Sequence, residues 1–232
     1  VTAAPGYPEL AVKNLAELTG IDFKNSEDLI AATSDCGAYM TLSSAIKGLA
    51  VKMTKVCNDI RLLASGPRCG LKEINLPQLQ PGSSIMPGKV NPVAAEVANQ
   101  ASFLAIGLDT TVMLAASAGQ LELNVMEPVI TFALYTQMKV MTNACDTLRT
   151  KLVEGVTANT ERCKDYVMNS IGIVTLLKPH FGYQKCAAIA KEGYTTGKSL
   201  HQIVVDEQHL MTQAEWDATF NTQNLIHPKF VK

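Results

Sequence analysis

From Leu42 to Leu63, the residues Leu42, Ile46, Leu49, Met53, Val56, Ile60 and Leu63 alternate steps of four and three, with Gly48 the only helix breaker among them. A strand repeats every two residues, so this spacing cannot be a strand. The spacing predicts one long helix over about 34–65, packed along a seam in a bundle of near-parallel helices. Ser65-Gly66-Pro67 supplies the stop signal.

The next stretch, 66–92, contains Gly66, Pro67, Gly70, Pro77, Pro81, Gly82, Pro87, Gly88 and Pro92. That density of proline and glycine forbids a continuous helix or a central strand. Long irregular connections are uncommon in compact domains and are often functional where they occur.

From Pro92, well suited to a first helical position, the pattern turns helical again. Between Val97 and Gly119 the only charged residue is Asp109. A helix apolar nearly all round either spans a membrane or is buried by protein on every side. Asn99, Gln100, Ser102, Thr110, Thr111 and Ser117 make lipid a poor environment, so a buried bundle helix is expected, covered in part by neighbouring subunits. A third long helix is expected from about 120 to 153, with a kink at Pro128 near its start. After Gly155 the elements shorten to 159–177, 183–192, 199–208 and 213–220, and Thr212-Gln213-Ala214-Glu215 has the form of a capping box. The chain thus reads as all-α. A central helical bundle over 1–156 carries an irregular loop at 80–92, and a small helical domain follows over 157–232.

The chain has 232 residues and a formal net charge of −1, which gives no electrostatic reason to expect nucleic acid or an anionic membrane as partner. Its six cysteines (Cys36, Cys57, Cys69, Cys145, Cys163, Cys186) form no CxxC pair and have no histidine cluster beside them. That pattern suits reduced, partly buried thiols in a cytoplasmic protein and argues against a metal site. The four histidines share no motif and are expected to be structural or at the surface. The first residues, V-T-A-A-P-G-Y-P, lack an initiator methionine and the charged and apolar regions of a signal peptide, so a fragment of a longer chain is expected.

The loop reads G-S-S-I-M-P-G-K-V-N-P over 82–92. It is not a nucleotide-binding phosphate loop. Five residues separate Gly82 from Gly88, and Val90 stands where a hydroxyl would hold magnesium. Nor is it a nucleophile elbow, which needs glycine where Met86 stands. Gly82 and Gly88 allow backbone amides to converge on an anion. Lys89 supplies a cation and Asn91 an amide donor for a carboxylate. A serine among convergent amides and a lysine loses its proton more readily than a free one, so it can serve as a base. A plain surface turn joining two helices is the competing reading.

This segment closely resembles the signature of the aspartase/fumarase superfamily. T-S-D-C-G-A-Y (33–39), K-E-I-N-L-P-Q-L-Q (72–80), G-Q-L-E-L-N-V-M-E-P-V (119–129) and N-S-I-G-I-V-T (169–175) extend the likeness, and Met126-Glu127 before Pro128 is similar to the aspartase branch. The resemblance implies a homotetrameric lyase with active sites composed from several subunits and a dicarboxylate substrate. It implies no metal and no redox cofactor. The implied reaction is reversible deamination of L-aspartate to fumarate and ammonia, with fumarate hydration as the alternative chemistry and a non-catalytic scaffold as the alternative class.

By the same resemblance Ser83 is the base, and the backbone amides around Ser84 and Ile85 stabilise the enediolate. Lys89 and Asn91 hold the second carboxylate, and Gly82 and Gly88 shape the loop. Glu96 either orients a histidine of another subunit or is a favourable charge near a helix N-terminus. Family chains extend further on the N-terminal side, so this chain alone is expected to show little or no catalysis.

Overall fold

The computed structural model describes residues 3–227. They are mainly helical, in the order α1 (Tyr7–Thr19), α2 (Gly37–Leu63), α3 (Val93–Ser117), α4 (Glu127–Lys151), α5 (Thr160–Met168), α6 (Lys178–Thr196), α7 (Gln213–Thr219) and α8 (Thr222–Ile226). Two short strands, β1 (Ile74–Asn75) and β2 (Thr157–Ala158), pair antiparallel. The chain divides into two compact units. One comprises the residues up to Leu62 together with Leu76–Val156. The other comprises Leu63–Asn75 together with the residues from Thr157 onward.

The first unit is a bundle of long helices. The seam of α2 carries Ser43, Ala50, Met53 and Cys57 as its buried residues, with Ile46 and Ile60 packed beside them. On α3 the buried positions are Ala94, Ala95, Ala98, Asn99, Ser102, Ala105, Asp109, Val112 and Ala115, close to the three-and-four spacing that keeps one face toward a partner helix. α4 contributes Ile130, Ala133, Leu134, Gln137, Met141 and Ala144. The buried faces are rich in alanine, and small side chains let helix axes approach closely.

α3 is long and apolar enough to cross a membrane by length and composition. Its inner face nevertheless carries the polar side chains of Asn99, Ser102 and Asp109 into the packed bundle. Its other face leaves Val97, Phe103, Leu104, Met113 and Leu114 exposed.

The third helix starts at Glu127, later than its sequence pattern predicts, because Gln120 and Leu123 close a tight turn in which Leu121 adopts φ 50°. Pro128 therefore stands in the first turn of α4, where the missing N–H is no loss, and is not a kink.

Three buried polar side chains, Ser43, Asp109 and Gln137, form a network in the bundle interior. Asp109 is paired with Lys47 and accepts from the Ser43 hydroxyl at 2.8 Å. Gln137 donates to that hydroxyl at 3.1 Å and to the Ala105 carbonyl at 2.9 Å. Burial pushes the Asp109 carboxyl up, but the hydrogen bonds from Lys47 and Ser43 outweigh it and hold the group below the ordinary carboxylate range.

The second unit has its own core around Leu177, Ile189, Ile203, Val204, Trp216 and Phe220. The expected 159–177 helix is interrupted. α5 ends at Met168, and Ser170 caps a separate 3-10 helix over Ile171–Leu177 by accepting from the Gly172 N–H at 3.2 Å. Within α6, Gly182 adopts φ 74°, ψ 171°, a break that only glycine makes without strain. The capping box is present. Thr212 Oγ1 accepts from the Glu215 N–H at 3.3 Å, while the Glu215 carboxylate accepts from the Thr212 N–H at 2.8 Å. Cys36, Cys57 and Cys186 are buried, and desolvation pushes all three thiols up, so they are thiols and not thiolates. Cys69 and Cys145 are exposed. His201 lies edge-on to Trp216 with ring centroids 5.1 Å apart and shares a 2.8 Å hydrogen bond with Gln213.

Candidate active-site loop

The loop between Leu76 and α3 is anchored at both ends within the first unit. Leu76 packs against the core that contains Ala94 and Leu152. At the other end Pro92 opens α3, and its carbonyl accepts from the Glu96 N–H at 3.0 Å.

Between these anchors the chain closes on itself. Asn91 Nδ2 donates to the Gly82 carbonyl at 2.6 Å. Gly82 lies so close to the Lys89 backbone that a Cβ placed on it would sit 1.7 Å from the Lys89 carbonyl oxygen. Glycine is therefore required at 82 by close approach. At Gly88 it is favoured by φ 79°. The Lys89 N–H donates to the Met86 carbonyl at 3.3 Å, closing the turn at the tip.

Ser83 sits just inside this clasp. Its hydroxyl oxygen accepts from two backbone N–H groups, Ile85 at 3.0 Å and Met86 at 3.1 Å. Two donors directed at one oxygen stabilise its ionised form more than its neutral form, because hydrogen bonds to an anion are the stronger ones. The tip is open to solvent: Ser84, Ile85, Met86 and Lys89 are all exposed, and Ile85 is 86% exposed. The Lys89 ammonium forms no ion pair among the described residues. Glu96 lies half-buried in the first turn of α3.

Ser83, Ser84, Ile85, Lys89, Asn91, Gly82 and Gly88 thus share one closed loop, and Glu96 stands on the helix that follows it. Two features differ from the sequence reading. The Ile85 amide points at Ser83 itself, and the second donor is Met86. A serine whose hydroxyl binds amides two and three residues on is a familiar local pattern, so the signal was present in the serine's own position. One amide hydrogen of Asn91 is committed to the clasp, so that side chain first holds the loop shut. Among the described residues no group of three or more His, Cys, Asp or Glu side chains is placed to hold a metal ion.

The clasp yields a direct expectation. Gly82→Ala must push the Lys89 carbonyl away and open the neck, while the helices stay intact by circular dichroism. Misplacing a reacting group by about 1 Å costs on the order of 10²-fold in rate, so any turnover that depends on this loop is expected to fall by about that factor. Unchanged turnover in this variant would show that the neck does not position Ser83.

Comparison with known proteins places this loop in context. Residues 1–107 match the family model described as Lyase, and residues 173–227 match the model of the fumarase C C-terminus. Aspartate ammonia-lyase of Escherichia coli (strain K12) is 57% identical over 224 residues, covering 97% of this chain and 47% of that protein. The aspartate ammonia-lyase of Helicobacter pylori (strain ATCC 700392 / 26695) is 51% identical, covering 100% of this chain and 49% of its own length. Among solved structures, a fumarate lyase:delta crystallin from Brucella melitensis superposes with a TM-score of 0.89 at 40% identity, covering 94% of this chain and 47% of that one. A class II fumarase from Schistosoma mansoni gives 0.88 at 31% identity, covering 98% and 50%. The chain spans about half the length of the curated relatives it matches. With matched segments toward both ends, the shared helical fold and the G-S-S-I-M-P-G-K-V-N-P loop in place, this chain belongs to the aspartase/fumarase superfamily of lyases.

Proposed function

We propose that this chain carries the base-bearing loop of a cytoplasmic carbon–nitrogen lyase that converts L-aspartate reversibly to fumarate and ammonia. The observation that carries the reading is the Ser83 hydroxyl oxygen, which receives two backbone N–H donors inside a clasped loop. Ser83, as alkoxide, takes the proton from the carbon beside one substrate carboxylate. The electron pair left behind spreads into that carboxylate as an enediolate, and the backbone N–H of Ser84 at the loop tip offsets its charge, the Ile85 N–H being directed at Ser83. Lys89 and the second amide hydrogen of Asn91 hold the other carboxylate. The electron pair then returns to form the carbon–carbon double bond as ammonia leaves the neighbouring carbon, giving fumarate with no net oxidation or reduction. Glu96 orients a histidine contributed by another subunit.

The assembly proposed is a homotetramer with composite active sites. Its support is the apolar surface that a single chain leaves uncovered: Phe103 is 56% exposed, Leu114 60%, Phe132 65% and Tyr135 68%. Burying such side chains stabilises association by about 25 cal/mol per Å² of apolar area.

Hydration of fumarate is the second reading, favoured by the match of residues 173–227 to the fumarase C C-terminus. The named relatives and Met126-Glu127 favour aspartate. The test is ultraviolet detection of fumarate with L-aspartate and L-malate offered in parallel. It is run on the chain alone and on the chain co-expressed with the complementary half of the Escherichia coli aspartate ammonia-lyase. Little or no turnover is expected from the chain alone, and fumarate from aspartate only after complementation. Fumarate from malate only would establish the hydratase reading. An intact tetramer that makes none from either substrate would mean a scaffold.

A further inference from the structure

The second unit contains a cleft of about 600 Å³ that no part of the proposed reaction uses. One wall is the loop after α2, bearing Arg68 and Lys72, and the other is the start of α5, Asn159 to Arg162. Three cations, Arg68, Lys72 and Arg162, face a single acid, Glu161. None of the four forms an ion pair among the described residues. Uncompensated like charges repel, so gathering them in one concavity costs stability unless an anion joins them.

The cleft is firmly built. Lys72 is held at φ 53°, with its N–H donating to the Ser65 carbonyl at 2.8 Å and its carbonyl accepting from Asn159 Nδ2 at 2.7 Å. Arg162 lays its guanidinium over the Tyr166 ring at 4.5 Å and donates from Nε to the Leu71 carbonyl at 3.3 Å, which leaves its terminal nitrogens as donors. Asn159 spends its side chain on Lys72 and Asn75 and does not cap α5. Helical hydrogen bonding begins only at Cys163, whose N–H donates to the Asn159 carbonyl at 2.9 Å.

We propose that this cleft binds a small phosphate-bearing anion. Three cationic side chains match a group with several charged oxygens, and the two guanidinium groups suit bidentate contact with it. No aromatic side chain is among the residues lining the cleft, and one face of the nearby Tyr166 ring is taken by Arg162, so the cleft offers no platform for stacking a nucleobase. The ligand class is therefore a pyrophosphate or a small phosphorylated metabolite.

The probe is inorganic pyrophosphate, titrated calorimetrically at constant ionic strength, with succinate as a dicarboxylate comparison. Saturable binding at one site is expected, weakened at least tenfold in Arg68→Gln and in Lys72→Gln. Arg68 is exposed, so its variant should unfold at the same temperature as the parent chain. If Lys72→Gln lowers the unfolding temperature, Arg68→Gln alone decides. The proposal is overturned by absence of saturable binding or by unchanged affinity in Arg68→Gln. Succinate binding as tightly as pyrophosphate through the same residues would also overturn it. Because the readout is binding and not fumarate formation, its failure is separate from failure of the lyase reading.

Discussion

Replacing Ser83 by alanine is expected to abolish fumarate formation from L-aspartate in the complemented enzyme, with helicity and assembly unchanged. The physical ground is local. In the parent chain the Ile85 and Met86 N–H groups, 3.0 and 3.1 Å from the Ser83 oxygen, stabilise negative charge on it. Alanine leaves both donors without their acceptor and removes the only group of the pair Ser83–Ser84 to which such donors are directed. A positioned general base contributes about 10²–10⁴-fold, and loss of that order is expected. Ser84→Ala is the internal control. Ser84 is exposed and its backbone amide survives the substitution, so its effect should stay within about tenfold, well below that of losing a base. Turnover of Ser83→Ala within tenfold of the parent would remove Ser83 as base, whatever Ser84→Ala did.

Lys47→Met is expected to destabilise the bundle far more than Asp109→Asn does. The Asp109 side chain is 10% exposed, whereas that of Lys47 is 41% exposed. Without Lys47 the carboxylate stays buried with only serine hydroxyls as donors. Without the charge on Asp109, the lysine head turns to water. Breaking a buried pair costs roughly 3–5 kcal/mol, and solvent at the lysine end lowers this to about 2–3 kcal/mol for Lys47→Met. Asp109→Asn keeps an acceptor for Ser43 and should cost about 1 kcal/mol.

The pH dependence has a definite sign. Asp109 has a folded-state pKa below its unfolded value, so its contribution is full above the unfolded carboxylate range and is lost as pH falls through the folded pKa. In Lys47→Met burial acts with less opposition, so the folded-state pKa moves up and the acid-dependent loss becomes smaller. Urea unfolding midpoints of the two variants at neutral and acid pH check both statements. Equal midpoints would show that water, and not Lys47, neutralises the carboxylate.

How far the sequence predicts this molecule is clearest on α2. The 3.5-residue spacing finds the helix and its bundle, yet it picks the seam from bulk. Leu42, Leu49 and Val56 are 43%, 47% and 53% exposed, while their neighbours Ser43, Ala50 and Cys57 are fully buried. Hydrophobicity ranks leucine above serine or alanine, but close helix packing selects for small side chains, and hydrophobic patterning does not encode interaxial distance. Pro128 shows a different gap. Its place in the first turn of α4 depends on the turn at Gln120–Leu123, which periodicity does not register. At the loop, the motif identifies Ser83, Lys89 and Asn91 as a group. The clasp between Asn91 and Gly82 is a contact across the loop, so only coordinates reveal it.

That clasp has a kinetic consequence. Loop-closure entropy grows with the logarithm of the length left free. With Gly82 tied to Asn91 and pressed on Lys89, the freedom of the Pro- and Gly-rich connection is confined to a small ring around residues 83–88. Surface rings of that size rearrange in nanoseconds to microseconds, whereas enzymes typically turn over at about 1–10³ per second. Ordering the tip around a ligand thus costs little entropy and little time.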